Sequence, residues 1–193
     1  GLIIPSGNDI ANAAASAVAK KALGDDISYE EAEKYFVGLM NTKASELGCK
    51  ESNFANPHGY HDDNHYTTAY DMSLIAQACM EYDIIAEAAR ETKFSGNSAG
   101  NQKYNVDGKT AEYTWYSHNE LITNGANHYE YATGIKTGFT DQAGDCLAAS
   151  ATKDNENLIA IIMNSEDPGR WQDAKILFDW AFENYDMIEY RQS

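Results

Sequence analysis

Apolar residues recur every three or four positions through the first half of the chain and cluster in short runs through the second. After a Pro5-Ser6-Gly7-Asn8 turn, Ile10, Ala13, Ala14, Ala17 and Val18 repeat at helical spacing, and Gly24 predicts the end of that helix. Ser6 and Asn8 are residue types that cap helix N-termini, so a cap is the plain structural expectation for them. A second helix is predicted from Ser28, where Ser28 and Glu31 form a capping box. It turns Ala32, Tyr35, Phe36, Leu39 and Met40 inward and stops at Gly48. Residues 49–67 lack periodicity and hold Pro57 and Gly59, which predicts a structured loop. Thr68 and Asp71 give a further cap signature, opening one helix through Met72, Ile75 and Cys79 to about Ala89. From 91 to 131 the pattern is polar and aromatic, consistent with turns, short strands and a short helix.

The second half reads differently. "YATGIKTGFT", "GDCLAASATK" and "NLIAIIMNS" are β-leaning runs separated by turn residues, and the Lys153–Asn157 turn makes the last two a hairpin. A final helix is predicted from about Pro168, through Ile176, Leu177, Trp180 and Ala181. Helices first, then an antiparallel meander, then one helix is an α+β layout. The expectation is a single partial domain over 1–193, mainly helical over 1–125, with sheet strands and the C-terminal helix over 126–193. Three strands make a thin sheet for this length.

Composition narrows the partners. At 193 residues the chain suits one domain, and its 30 Asp and Glu against 14 Lys and Arg give a net charge of −16. Such a surface repels nucleic acid and anionic lipid. An anionic substrate therefore needs a local basic group. No apolar run approaches the ~18 residues of a membrane span. With Gly at position 1, the chain reads as a mature or trimmed form. Cys49, Cys79 and Cys146 match no zinc spacing, and leave both free thiols and one bridged pair open.

Three patterns suggest chemistry and fail on context. Gly96-Asn97-Ser98-Ala99-Gly100 matches G-x-S-x-G but lacks the preceding buried strand and following helix that such an elbow requires. Ser150-Ala151-Thr152-Lys153 matches S-x-x-K. Its residues share a face only on a helix, whereas this segment reads as a strand. His58, His61 and His65 with Asp62 and Asp63 offer metal-ligand types without a fixed frame, and read as a loop tied down by polar side chains.

Ser6-Gly7-Asn8 and Lys136-Thr137-Gly138 remain, matching the S-x-N and K-T-G motifs of penicillin-binding enzymes. Their flanks "GLIIPSGND", "FVGLMN", "FANPHGY", "NHYTTAYDM", "GIKTGFTDQAG" and "LAASAT" run in order over nearly the whole chain. Through them the sequence closely resembles the D-alanyl-D-alanine carboxypeptidases, the low-molecular-mass penicillin-binding proteins. The resemblance implies the β-lactamase/transpeptidase-like fold, an antiparallel sheet flanked by helices. It implies a serine-type hydrolase, needing no metal or organic cofactor, that acts outside the cytoplasmic membrane on peptidoglycan stem peptides ending in D-Ala-D-Ala. It also implies β-lactams as inhibitors of the complete enzyme.

Residue by residue, the resemblance gives Lys136 as the cation beside the substrate carboxylate and Thr137 as a hydroxyl donor to it. Gly138 lets substrate backbone lie against the strand, and the Phe139 N–H is an oxyanion donor. Ser6 relays a proton to the leaving D-Ala amine. Asn8 holds the substrate amide and the catalytic lysine. His118 and Asn119 line the site, while Thr68 and Asp71 support a loop.

The first family motif, a helix-borne S-x-x-K carrying the acylated serine and its lysine base, has no counterpart upstream of Ser6 here. The sequence therefore predicts a fragment lacking the nucleophile helix and the N-terminal strands, inactive alone. Its exposed sheet edge is expected to pair with that missing segment or with another copy of the chain. A non-catalytic wall-peptide binding module is the alternative. No deacylating glutamate motif supports a β-lactamase.

Overall fold

The computed structural model describes residues 1–97 and 110–184. Helices α1 (Asn8–Leu23), α2 (Tyr29–Glu46), α3 (Ala69–Met80) and α4 (Asp83–Arg90) come first. A hairpin of β1 (Lys93–Asn97) and β2 (Glu112–Tyr116) follows, then β3 (Ala132–Thr140), β4 (Gly144–Lys153), β5 (Glu156–Ser165) and α5 (Gly169–Asn184). The fold is α+β, with antiparallel sheets flanked by helices.

The main sheet has the order β3-β4-β5. Asp154 and Asn155, both at positive φ (50° and 69°), turn β4 into β5. This two-residue geometry favours Asn and Asp and matches the twist of the strands. Side-chain alternation along β4 and β5 gives the sheet two apolar faces. Leu147, Ala149, Ala151, Ala160 and Ile162 pack on Trp171, Ala174 and Phe178 of α5, together with Leu121 and Tyr129. On the other side Ala148, Ile159 and Ile161 pack around Ala76 of α3, Ala89 of α4 and Ile135 of β3.

Several sequence expectations change. The inward stripe of α1 is Ala11, Ala15 and Ala19, while Ile10 and Val18 are exposed. Alanines at i, i+4 and i+8 let α2 approach closely, and the larger side chains are turned out of that contact. The single helix expected from 68 to 89 is two helices. Tyr82 leaves the helical region (φ −94°, ψ 111°) and starts α4 on a new axis that lays it against β3. The last helix forms as expected over these residues, with Trp171, Ala174 and Phe178 buried and Ile176, Leu177 and Trp180 exposed.

The inward stripe expected of α2 holds in part: Ala32 is buried and Tyr35, Phe36 and Met40 are half-buried, but Leu39 is exposed. Other expectations stand. Ser28 Oγ accepts from the Glu31 N–H (3.2 Å) and Glu31 Oε2 accepts from the Ser28 N–H (2.8 Å), a complete capping box. Loop 49–67 is ordered by its polar groups. Asn41 exchanges hydrogen bonds with the Phe54 backbone in both directions, and Asn53 pairs with Tyr66. His65 Nδ1 accepts from the Ala55 N–H (3.3 Å), and its ring meets Phe54 edge-on. Asp71, almost fully buried, accepts from Ser52 Oγ (2.7 Å) and the Glu51 N–H (2.8 Å), which hold its carboxyl below the usual carboxylate range.

Candidate active site

The N-terminal corner is a tight turn, not a side-chain cap. The N-cap of α1 is Gly7, no side chain caps it, and Asn8 is already helical. Neither Ser6 nor Asn8 does the capping that its residue type suggests. Ser6 lies at φ 55°, the left-handed region that a serine adopts at a cost. The turn closes where the Gly7 N–H donates to the Gly1 carbonyl (3.2 Å). A Cβ on Gly7 would stand 2.8 Å from Ile10 Cγ1 and 3.1 Å from that carbonyl, so glycine suits this position. Ile4 is buried, and Ile3 packs against the cluster of Ala76, Ala89 and Ile135. Ser6 thus follows a segment seated on the residue that precedes Lys136.

The second corner is β3. It is an outer strand of the main sheet, paired on one side with β4. Lys136 is largely buried, and its Nζ donates to the Thr137 carbonyl (2.6 Å). Desolvation pulls its pKa from 10.5 down to about 8. Among the described residues no carboxylate pairs with it. Next along the strand, space is open where a Gly138 side chain would project, and Phe139 is 64% exposed. Lys136, Thr137, Gly138 and Phe139 therefore present an accessible edge carrying one unmatched positive charge. No hydrogen bond joins Ser6 or Asn8 to Lys136 among the described residues; the two corners meet through the apolar seam at Ile3 and Ile135.

The remaining candidates sort out by context. Asn119 is buried in the turn before β3, where its Oδ1 accepts from the Leu121 N–H (3.1 Å), while His118 is exposed. Ser150 lies on β4, buried, and hydrogen-bonded to Thr133 Oγ1 (2.8 Å). Lys153 instead stacks over the Tyr131 and Phe182 rings, so this S-x-x-K pair does not act together. Gly96 is on β1, whereas Ser98, Ala99 and Gly100 lie outside the described residues. Cys49, Cys79 and Cys146 are free thiols. No described helix is long and apolar enough to cross a membrane.

One feature of this region was not foreseen from sequence. Arg170 Nη1 donates to Asp145 Oδ1 at 2.6 Å, with both side chains mostly buried, and Asp145 faces Phe139 in the β3–β4 register. The available signal was an arginine in the first turn of a helix, where the dipole opposes a positive charge and a partner is called for.

Comparison with known proteins extends the picture. A family profile described as D-alanyl-D-alanine carboxypeptidase matches residues 1–167. The chain is 36% identical over 188 residues to the D-alanyl-D-alanine carboxypeptidase DacF of Bacillus subtilis, covering 96% of this chain and 42% of DacF. It is 33% identical over 191 residues to DacA of Escherichia coli, covering 97% of this chain and 40% of DacA. The chain thus spans about two fifths of these curated relatives. The crystal structure of the Streptomyces K15 DD-transpeptidase superposes with a TM-score of 0.80 at 26% identity, covering 95% of this chain and 65% of that one. Penicillin-binding protein D2 of Listeria monocytogenes, solved with cefotaxime bound, shares the fold at a TM-score of 0.67 and 22% identity, covering 94% and 63% of the two chains. By the extent of the profile match and by its likeness to DacF, the chain belongs to the D-alanyl-D-alanine carboxypeptidase family.

Proposed function

We propose that this chain carries the carboxylate-binding and proton-relay parts of a serine-type D-alanyl-D-alanine carboxypeptidase that trims peptidoglycan stem peptides outside the cytoplasmic membrane. The supporting observation is Lys136, a largely buried cation without a carboxylate partner among the described residues, on an open strand edge. Such a charge is costly until an anion meets it. A substrate's terminal carboxylate meets it in this reading, with the Thr137 hydroxyl donating to the same group. The backbone of Gly138 and Phe139 lines the peptide, and the Phe139 N–H faces the developing oxyanion, a contact worth ~10²–10³ in rate.

In the complete enzyme a serine Oγ bonds to the penultimate D-Ala carbonyl as the peptide C–N bond breaks. Ser6 passes a proton to the departing D-Ala amine, Asn8 holds the substrate amide and the base lysine, and water then cleaves the ester. β-Lactams occupy the same edge through their own carboxylate. No metal or organic cofactor takes part.

The one S-x-x-K in these 193 residues is Ser150–Lys153, and it lies on a strand. The isolated chain therefore neither hydrolyses D-Ala-D-Ala nor forms a covalent penicillin adduct. That same geometry favours a second reading, a non-catalytic module that binds wall peptides.

One set of measurements separates these readings. A peptide ending in D-Ala-D-Ala is titrated calorimetrically into the chain and into Lys136→Met, and both are exposed to a fluorescent penicillin. We expect reversible binding that Lys136→Met abolishes, and no covalent label. Equal binding by the variant removes the lysine from the site; a stoichiometric label overturns the claim that the chain lacks its nucleophile. Joining a helix-borne S-x-x-K segment from DacF to the N-terminus restores labelling under the enzyme reading and does not under the binding-module reading.

A further inference from the structure

Asn124-Gly125 is the one asparagine–glycine pair in the sequence; every other asparagine is followed by a residue that carries a side chain. The pair lies in the irregular bend between Leu121 and Tyr129, ahead of β3, where Asn124, Gly125 and Ala126 are all exposed. Neither the Asn124 side chain nor the Gly125 N–H makes a hydrogen bond among the described residues. Other asparagines are committed. The side-chain nitrogens of Asn41, Asn53 and Asn56 donate to the Phe54, Asn64 and Tyr60 carbonyls, and that of Asn127 donates to Glu120 Oε2.

The bend is tied at its ends and free at its tip. Leu121 and Tyr129 are core residues, and the Tyr129 N–H donates to the Leu121 carbonyl (2.9 Å). Past the pair, the His128 N–H donates to the Gly125 carbonyl (3.2 Å), and Lys175 Nζ on α5 donates to the Ala126 carbonyl (3.3 Å). A helix or a strand would commit the Gly125 N–H to a carbonyl and fix the backbone around it; here neither does. Glycine also leaves its own nitrogen unshielded and its backbone freer than any other residue would. Nothing stands within 4 Å of where a Gly125 Cβ would project, so the tip has room to move.

We propose that Asn124-Gly125 is a self-modification site, at which the folded chain converts Asn124 to aspartyl and iso-aspartyl forms. The Gly125 nitrogen gives its proton to hydroxide and bonds to Asn124 Cγ. The Cγ–Nδ2 bond breaks, and that nitrogen leaves as ammonia after taking a proton from water. Water then opens the five-membered imide at one of its two carbonyls. Opening at Cγ gives aspartate; opening at the backbone carbonyl gives iso-aspartate, with the main chain routed through Cγ. Water and hydroxide are the sole co-reactants. Either product adds one negative charge to a chain already at −16. The iso form also lengthens the main chain by one methylene, between the Leu121–Tyr129 tie and the carbonyl that Lys175 holds. Each folded copy thereby records its own age, at a bend outside the K-T-G strand.

The test is to age the chain in neutral buffer, with circular dichroism to show that it stays folded, and to follow each asparagine by peptide mapping and mass spectrometry. We expect Asn124 to convert before any other asparagine, at a rate close to that of a synthetic peptide spanning residues 120–129. The rate should rise with pH, because the attacking nitrogen must lose its proton. Gly125→Ala should slow conversion several-fold by restricting the backbone and shielding the nitrogen. Gly125 lies outside the left-handed region and its surroundings are open, so that variant should fold. An isoaspartyl methyltransferase with a labelled methyl donor should mark the aged chain and leave aged Gly125→Ala largely unmarked. Earlier conversion at another asparagine, or an equal rate in the alanine variant, overturns the site. So does an Asn124 that converts in the peptide but stays intact in the folded chain.

Discussion

Arg170 reaches from the first turn of α5 to Asp145, with Nη1 2.6 Å from Oδ1, and Asp145 stands directly across the sheet from Phe139. One ion pair thus ties the start of the last helix to the strand beside the candidate oxyanion donor. Both partners are about 15% exposed, so removing one leaves the other charge mostly buried. Arg170→Leu should therefore cost on the order of 3 kcal/mol, and adding Asp145→Leu should recover much of it. Urea unfolding of the two single variants and the double variant checks this. Additive losses would show that the pair is not coupled.

Lys136 should trade stability for binding. Holding its pKa at about 8 rather than 10.5 costs the folded state about 3 kcal/mol wherever the lysine is charged, below pH 8. Between pH 8 and 10.5 the unfolded chain binds a proton that the folded chain does not, so stability from this group rises with pH across that window. Above it the penalty is gone. Lys136→Met should accordingly be more stable than wild type at pH 7, by about 1–2 kcal/mol after loss of the Nζ hydrogen bond to Thr137. That advantage should vanish near pH 10.5. Denaturant midpoints at the two pH values measure it.

Asp71 has the opposite sign. Ser52 and the Glu51 N–H hold its carboxyl below its ordinary range, so its contribution is complete above the unfolded-state pKa and fades as pH falls through the folded one. Asp71→Asn should lower the melting temperature clearly at pH 6 and much less at pH 3. Faster hydrogen exchange at Glu51 would mark the loosened loop.

Gly134 is fixed by space and by backbone. Its φ is 148°, and an added Cβ would lie 2.8 Å from the Ala89 Cβ on α4. Gly134→Ala should cost about 2–3 kcal/mol. Ala89→Gly in the same chain should relieve the collision but not the backbone term, so thermal denaturation should recover only part of the loss.

Local rules carried much of the fold. The Ser28–Glu31 box, the 153–157 hairpin and the three strands of the meander all depend on neighbours within a few residues, and all are legible in the sequence. The inward faces of α1 and α5 are not. Both helices carry apolar residues on more than one side, and only tertiary contact decides that Ala15 is buried while Val18 is not, or Phe178 while Leu177 is not. The break at Tyr82 is hidden for the same reason: no Gly or Pro marks it, and what α4 gains is contact with β3. At the candidate site, K-T-G and S-G-N were readable as motifs. Arg170 was not, since its partner Asp145 is adjacent only after β4 and β5 have folded back.

The seam formed by Ile3, Ala89 and Ile135 has a consequence for how the two corners keep their spacing. It works as a shim: an apolar layer between the segments that carry Ser6 and Lys136, joined to neither residue by a hydrogen bond among the described residues. Thinning or thickening it by one methylene shifts one corner against the other without altering a polar atom. The relative placement of these two corners is therefore open to changes at greasy positions that no motif marks.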